Sequence, residues 1–266
     1  MSEEQESAPS KTGAERINPY DEARAKGEQV EQMFDSIAPA YDFMNSAMSF
    51  GRHRRWRDRA LEMAAASLRH SPRHGSPARI LDVATGTGDV AFRIHELWPE
   101  ARITGIDLSE GMLEVGRRKL ARMDDSAIGK ITFMQADCLA LPMADDTFDL
   151  LTVAYGVRNF EHLEAGLREM TRVVRPGGTV CIIELSRPRN PLLLAGYTLY
   201  TRLFVPAVGR MVSGDSRAYS YLPESIAAAP QREALTALMT RAGLTDCTYT
   251  TMTLGAVCIY IGRKPR

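Results

Sequence analysis

Closely spaced cysteine pairs and excess charge are missing from this chain, its opening residues show no leader-like pattern, and each of these lowers the expectation of a class of function. The four cysteines, Cys138, Cys181, Cys247 and Cys258, lie far apart and form no CxxC pair. A disulfide framework or a zinc ribbon is therefore not expected, and no metal is needed. Cys181 and Cys258 fall inside apolar runs, where a thiol behaves as a small core hydrophobe. Lys+Arg and Asp+Glu number 33 each, for a formal net charge of +0. Proteins that grip phosphate backbones usually carry excess basic charge, so no nucleic-acid partner is expected. The opening segment MSEEQESAPSKTGAER has no apolar core and no Arg-rich amphipathic pattern, which predicts a cytoplasmic, reducing setting. No uninterrupted apolar run is long enough to span a bilayer. The longest candidate, PLLLAGYTLYTRLFVPAVGRMVSG, is broken by Arg202, Pro206 and Arg210. It is expected to pack on the domain as an amphipathic insertion, with a bilayer surface as its alternative contact.

What remains is an ordinary globular composition, 44% hydrophobic and 25% charged. Residues 1–22 read as a disordered tail and 23–77 as an N-terminal helical cap, broken near Pro39 and Gly51. Residues 78–266 read as one ligand-binding domain with a helical insertion at about 190–230. From Ala78 onward, short β-branched apolar runs (ARILDVA, ARITGID, ITFMQAD, FDLLTVAY, TVCIIEL) alternate with helical stretches. One of these, EHLEAGLREMTRVV, is stopped by Pro176-Gly177-Gly178. That alternation predicts an α/β, Rossmann-like fold with a mostly parallel sheet covered on both faces. CTYTTMT and AVCIYIGR add a C-terminal antiparallel strand pair.

The chemistry begins at Asp82-Val83-Ala84-Thr85-Gly86-Thr87-Gly88-Asp89. Gly86 and Gly88 let the backbone turn sharply after the first strand and approach a ligand closely. With Ala91 the segment matches a dinucleotide fingerprint, a weak signal alone. Asp89 falls where a dinucleotide would place its pyrophosphate. Repulsion there amounts to about 4 kcal/mol at 4 Å and moderate effective dielectric. S-adenosylmethionine has no phosphate and carries two cationic groups, so Asp82 and Asp89 suit it better. Asp89 reads equally well as a helix N-cap or as a shaper of the loop. Asp107 closes the second strand, where a carboxylate can accept ribose hydroxyls, and Asp137 closes the third, where it and Cys138 can receive adenine. Acids at three successive strand ends beside a glycine loop point to a class I methyltransferase.

The sequence also resembles the quinone-biosynthesis C-methyltransferases, which methylate demethylmenaquinol and the related ubiquinone precursor. The resemblance runs from about Val30 to the C-terminus. It is carried by FDSIAPAYDFMNSAMSFGRHRRW, LDVATGTGD, ALPMADDTFDLLTVAYGVRN, RVVRPGG and YLPESI, in that order. It implies cofactor contacts from Thr87, Asp107, Asp137 and Cys138, and catalysis by Arg158, Asn159 and Tyr41. A hydroxyl that the family carries on the fourth strand is replaced here by Ala154.

The implied reaction is methyl transfer to a ring carbon of a prenylated quinol, demethylmenaquinol being favoured over the benzoquinol precursor. A cation near the developing phenolate would stabilise it, which suits Arg158; a surface ion pair with Glu161 or Asp149 is the plainer reading. His53 is a second candidate base, although RHRRWRDR also reads as a solvated helix face or, with Trp56, as a contact for anionic lipid headgroups. The lipophilic acceptor places the protein at the inner face of a membrane, and the apolar 192–212 stretch suggests a homodimer. A nicotinamide oxidoreductase, a sterol or phospholipid methyltransferase and a binding-only protein are the competing readings.

Overall fold

The computed structural model describes residues 13–69, 77–124, 127–205 and 216–266. Three helices come first: α1 (Lys26–Ile37), α2 (Tyr41–Ser49) and α3 (His53–Arg69). Strands and helices then alternate: β1 (Arg79–Val83), α4 (Asp89–Leu97), β2 (Arg102–Asp107), α5 (Glu110–Leu120), β3 (Ile131–Gln135), β4 (Phe148–Ala154), α6 (Leu163–Val173) and β5 (Val174–Leu185). The insertion contributes α7 (Pro191–Leu199), continued by a π-helical turn over Tyr200–Phe204, and α8 (Ser216–Ala228). The chain closes with α9 (Glu233–Arg241), β6 (Thr245–Met252) and β7 (Val257–Arg263).

The strands form one seven-stranded sheet in the order β3-β2-β1-β4-β5-β7-β6, parallel except for β7, which runs antiparallel to both neighbours. The expected α/β architecture and terminal antiparallel pair are both present. Chain order reverses between β1 and β4, so their connections leave on opposite faces and open a crevice at their carboxyl ends. The glycine loop, Asp107 and the segment after β4 all lie at that edge.

Both sheet faces are covered, which is why β1 and β4 are almost wholly buried. On one face α6 contributes Leu163, Leu167, Met170 and Val173, and α9 adds Leu235 and Met239. On the other, α4 places Val90, Ala91 and Ile94 beside Trp56, Ala60, Leu61 and Ala64 of α3. Thus α3, expected in the cap, is part of the main domain. Its small and branched residues seat it on β5, close enough for the Cys181 thiol to reach the Ala60 carbonyl at 3.7 Å. Burial of Leu61 alone stabilises by roughly 1.5–3 kcal/mol. Trp56 is likewise buried, its indole N–H donating to Thr253 Oγ1 at 2.8 Å, so it is not available to lipid.

The cap proper is α1, α2, α8 and the π-helical turn, packed around Met33, Ile37, Met44, Val205 and Tyr221. The last part of the expected tail joins it. Ala14 and Glu15 are buried; Lys26 Nζ donates to the Ala14 carbonyl at 2.7 Å, and Glu15 Oε1 accepts from the Leu163 N–H at 2.6 Å. Residues 1–12, most of that tail, lie outside the described residues, as do 206–215 of the insertion. A smaller difference concerns RVVRPGG. The helix ends at Val173, before Pro176, because the residue preceding proline prefers extended backbone. The segment Pro176-Gly177-Gly178 instead bulges out of β5, where the register jumps from Phe148↔Val174 to Leu150↔Thr179.

Candidate active site

The loop from β1 to α4 has three left-handed residues, Ala84, Gly86 and Gly88, at φ +51°, +56° and +85°. A side chain at Gly88 would also strike Phe133, whose Cζ lies 2.6 Å from an added Cβ, so glycine is required on both counts. Asp82 is the loop's internal anchor. It is 1% exposed, and its two oxygens accept from Thr85 Oγ1 and Thr152 Oγ1 at 2.6 Å each. Burial pushes its carboxyl up to about 6. It does not line the ligand cleft, so its part is to shape the loop.

The cleft itself is lined by Gly86, Asp107, Asp137, Cys138, Asn159 and Tyr41, among others. Six of the ten residues expected at the site therefore meet on one surface. Asp107 Oδ2 accepts from the Gly86 N–H at 2.8 Å and Oδ1 from the Ser109 N–H at 3.0 Å. Burial raises its carboxyl to about 6 against the pull of those amides. A carboxylate has about four acceptor positions, so capacity remains for two hydroxyls. Asp137 is exposed and accepts from the Leu139 N–H at 2.8 Å, holding the turn that buries Cys138. Burial, first of all, pushes the Cys138 thiol up, so it is a neutral wall. Among the described residues, the lining includes the carboxylates Asp107, Asp137 and Glu161 and no lysine or arginine.

Thr87, Gly88 and Asp89 face elsewhere. Thr87 Oγ1 donates to Asp42 Oδ1 at 2.5 Å and accepts from Lys119 Nζ at 3.0 Å. Lys119 Nζ also pairs with Asp42 and lies 3.0 Å from Asp89 Oδ1. Asp89 is the first residue of α4 and makes no capping hydrogen bond. It is not the N-cap, which is Gly88; it is one corner of an ionic cluster that fastens α2 of the cap to the glycine loop, in keeping with a part in shaping that loop.

A second cavity, of about 460 Å³, opens between cap and sheet. Its walls are mostly apolar and aromatic, as binding sites for lipophilic ligands usually are. Tyr41, Phe34 and Tyr155 border both this cavity and the cleft. Arg158 lines it too. The arginine's side chain is 8% exposed and pairs with Glu184 Oε1 at 2.8 Å, not with Glu161 or Asp149. Asp149 pairs instead with Arg175 at 2.6 Å. Burial opposes the guanidinium charge most strongly, but Glu184, together with Tyr41 and Tyr221, holds the pKa above its ordinary value. Arg158 Nη1 also donates to the carbonyl of Tyr155. That residue sits at φ +59°, a conformation costing about 1–3 kcal/mol for a bulky side chain. Arg158 Nε, by contrast, is buried with no hydrogen-bond partner among the described residues.

Asn159 Oδ1 accepts from the Tyr221 hydroxyl at 3.1 Å. Burial raises the Tyr41 hydroxyl above the ordinary tyrosine value, against the influence of Asn45 and Arg158. His53 also borders the second cavity, with Nδ1 2.7 Å from Ser49 Oγ, and burial lowers its pKa. It is not on a solvated face. Ala154 borders neither space.

Sequence reasoning missed Glu184, which follows a run of apolar strand residues with nothing to mark a partner for Arg158. It named the YLPESI segment without singling out Tyr221, whose hydroxyl reaches the site only through the placement of α8.

Comparison with known proteins matches residues 22–264 to the ubiE/COQ5 methyltransferase family. A demethylmenaquinone methyltransferase of Porphyromonas gingivalis is 44% identical over 94% of this chain and 98% of its own length. The ubiquinone/menaquinone biosynthesis C-methyltransferase UbiE of Pseudomonas fluorescens is 40% identical over 90% of each. Among solved structures, a SAM-dependent methyltransferase of Thermotoga maritima, a possible histamine N-methyltransferase, superposes with a TM-score of 0.56. It is 16% identical over 88% of this chain and 99% of its own, a likeness of fold.

Proposed function

From the premise that the chain belongs to the ubiE/COQ5 methyltransferase family, we propose that it methylates a ring carbon of a prenylated hydroquinone, using S-adenosylmethionine. Demethylmenaquinol is the favoured acceptor, because the Porphyromonas relative that carries that name matches over nearly its whole length.

The residues of the cleft fit the donor. Asp107 would take the ribose hydroxyls, and Asp137 with the Cys138 backbone the adenine. Three carboxylates, with no basic side chain among the described lining residues, suit a cationic ligand and disfavour a pyrophosphate. Thr87 is not needed as a contact. When bound, S-adenosylmethionine supplies a methyl group activated on a positively charged sulfur.

The chain's own task is to make a ring carbon nucleophilic, which requires electron density from a neighbouring phenol oxygen. The buried guanidinium of Arg158 is the observation that carries this reading. Glu184 and the Tyr155 carbonyl fix Nη1, and Nε is left as a donor for the phenolate oxygen. A preorganised cation of this kind, away from bulk water, needs no rearrangement as charge develops. Asn159, its carbonyl occupied by Tyr221, keeps an NH2 donor that can hold the water taking the phenol proton. Tyr41 closes the wall between the two spaces and orients the ring. His53 supports a second route for the proton, because burial favours the neutral, proton-accepting form of its imidazole.

The test is transfer of labelled methyl from S-adenosylmethionine to chemically reduced demethylmenaquinol or the benzoquinol precursor in detergent. Label in the organic phase with the naphthoquinol is expected. A preference for the benzoquinol would move the acceptor to the ubiquinone precursor, and label with neither would overturn the quinol reading.

A further inference from the structure

We propose that the rim of the larger cavity is a bilayer-docking face, through which a lipophilic ligand enters from the membrane; the identity of that ligand as a quinol rests on the function proposed above. Among the described residues no helix is long and apolar enough to cross a membrane, so the contact is interfacial. Phe50 and Leu254 line the cavity mouth, yet are 71% and 74% exposed. On the insertion beside them, Leu192, Leu199 and Leu203 are 79%, 62% and 63% exposed; spaced by seven and four residues, they form one helical stripe. The Phe50 ring stacks on Phe204 at 5.8 Å and lies 6.3 Å from Tyr200, which binds the end of α2 to the insertion as one surface.

Charge identifies the occupant. Arg52 at the cavity mouth, Arg54 two residues on and Arg202 of the insertion are exposed and have no carboxylate partner among the described residues, whereas Arg55 and Arg59 border a separate groove with Asp58 and Glu62, Arg59 pairing with Glu62 at 3.1 Å. Apolar side chains flanked by unpaired cations match the acyl boundary and phosphates of an anionic leaflet. A second copy seated here by two-fold symmetry would bring like charges together and would seal the cavity mouth.

The experiment is co-sedimentation of the full chain with vesicles of phosphatidylcholine, with and without phosphatidylglycerol. Two double variants, Leu199→Ser/Leu203→Ser and Arg54→Gln/Arg202→Gln, lie outside the linings of both cavities. The wild type should sediment with the anionic vesicles and be released by salt. The arginine pair should weaken anionic binding by about thirtyfold, at about 1 kcal/mol for each of the two basic residues. The leucine pair should weaken binding to both vesicle types. Turnover of a short-chain, water-soluble quinol should stay at the wild-type level in both variants; absence of turnover in the wild type would overturn the acceptor reading and leave the docking result intact. Failure to bind either vesicle, or variants that bind like the wild type, would overturn the docking face. So would a dimer in solution that the leucine substitutions dissociate while no vesicle binding is seen.

Discussion

Replacing Glu184 with glutamine isolates the charge of the buried pair from its shape. Glutamine keeps an oxygen for Arg158 Nη1, 2.8 Å away in the native protein, while the negative charge is lost. At an effective dielectric near 20, two unit charges about 4 Å apart attract by roughly 4 kcal/mol. Freeing Glu184 from its own burial returns part of that, but an uncompensated guanidinium remains, with side-chain exposure of only 8%. Breaking such a pair from one side typically costs about 3–5 kcal/mol. For a chain of this length a loss of about 3 kcal/mol lowers the melting temperature by roughly 6–12 °C. Arg158 would then turn toward solvent or other acceptors, so turnover should fall while S-adenosylmethionine affinity holds, because Glu184 does not border the cleft. Thermal unfolding, calorimetric titration of the donor and steady-state rates read the three effects separately. Glu184→Asp keeps the charge and should recover more turnover than Glu184→Gln. A glutamine variant with native melting and native turnover would refute the claim that this pair sets the arginine.

Arg158→Ala should leave donor binding intact and reduce labelled-methyl transfer by at least about a hundredfold, the scale seen when one preorganised donor is removed; near-normal turnover would remove Arg158 from the mechanism. Because burial pushes the Asp107 carboxyl up to about 6, the carboxylate proposed to accept the ribose hydroxyls is lost as pH falls below that value. Donor affinity should therefore weaken from pH 7 to pH 5, approaching tenfold per unit at the low end, and Asp107→Asn should be weak and flat across the range. Asp82 has its folded pKa raised to about 6, above the ordinary 3.8, so its protonated form favours the native state at low pH and that contribution disappears as pH rises through 6. Relative to Asp82→Asn, the wild type should lose up to about 3 kcal/mol between pH 4 and pH 7 in urea titrations; a difference that does not vary with pH would contradict this. Leu61→Ala should cost about 2–5 kcal/mol, as a fully buried leucine of the sheet layer rather than of a peripheral cap.

The sheet was legible because its strands are short, β-branched and separated by well-marked helices, and parallel strands buried on both faces leave little ambiguity of type. Asp107 and Asp137 were legible for the same reason, since strand ends in this fold face one edge. The role of α3 was not legible. An amphipathic helix shows that it has a partner without saying which, and only the chain's return path sets Leu61 on the sheet. Electrostatic reasoning about Asp89 reached the right class of ligand through the wrong residue: Lys119, thirty positions away, neutralises Asp89, and the cleft's negative character comes from Asp107, Asp137 and Glu161. The same long-range cluster takes up the Thr87 side chain, because a hydroxyl in a ligand loop carries no sign of which way it turns.

Tyr41, Phe34 and Tyr155 form a party wall, each bordering both spaces. Any ligand that fixes those rings on one side changes what the other ligand meets. Linkage then makes the influence mutual: if the donor tightens acceptor binding by some factor, the acceptor must tighten donor binding by the same factor. The demethylated product of the donor, lacking the methyl and the positive charge, sets a different factor across the same wall. The two products should therefore leave with affinities that depend on each other, the coupling being set at three aromatic side chains.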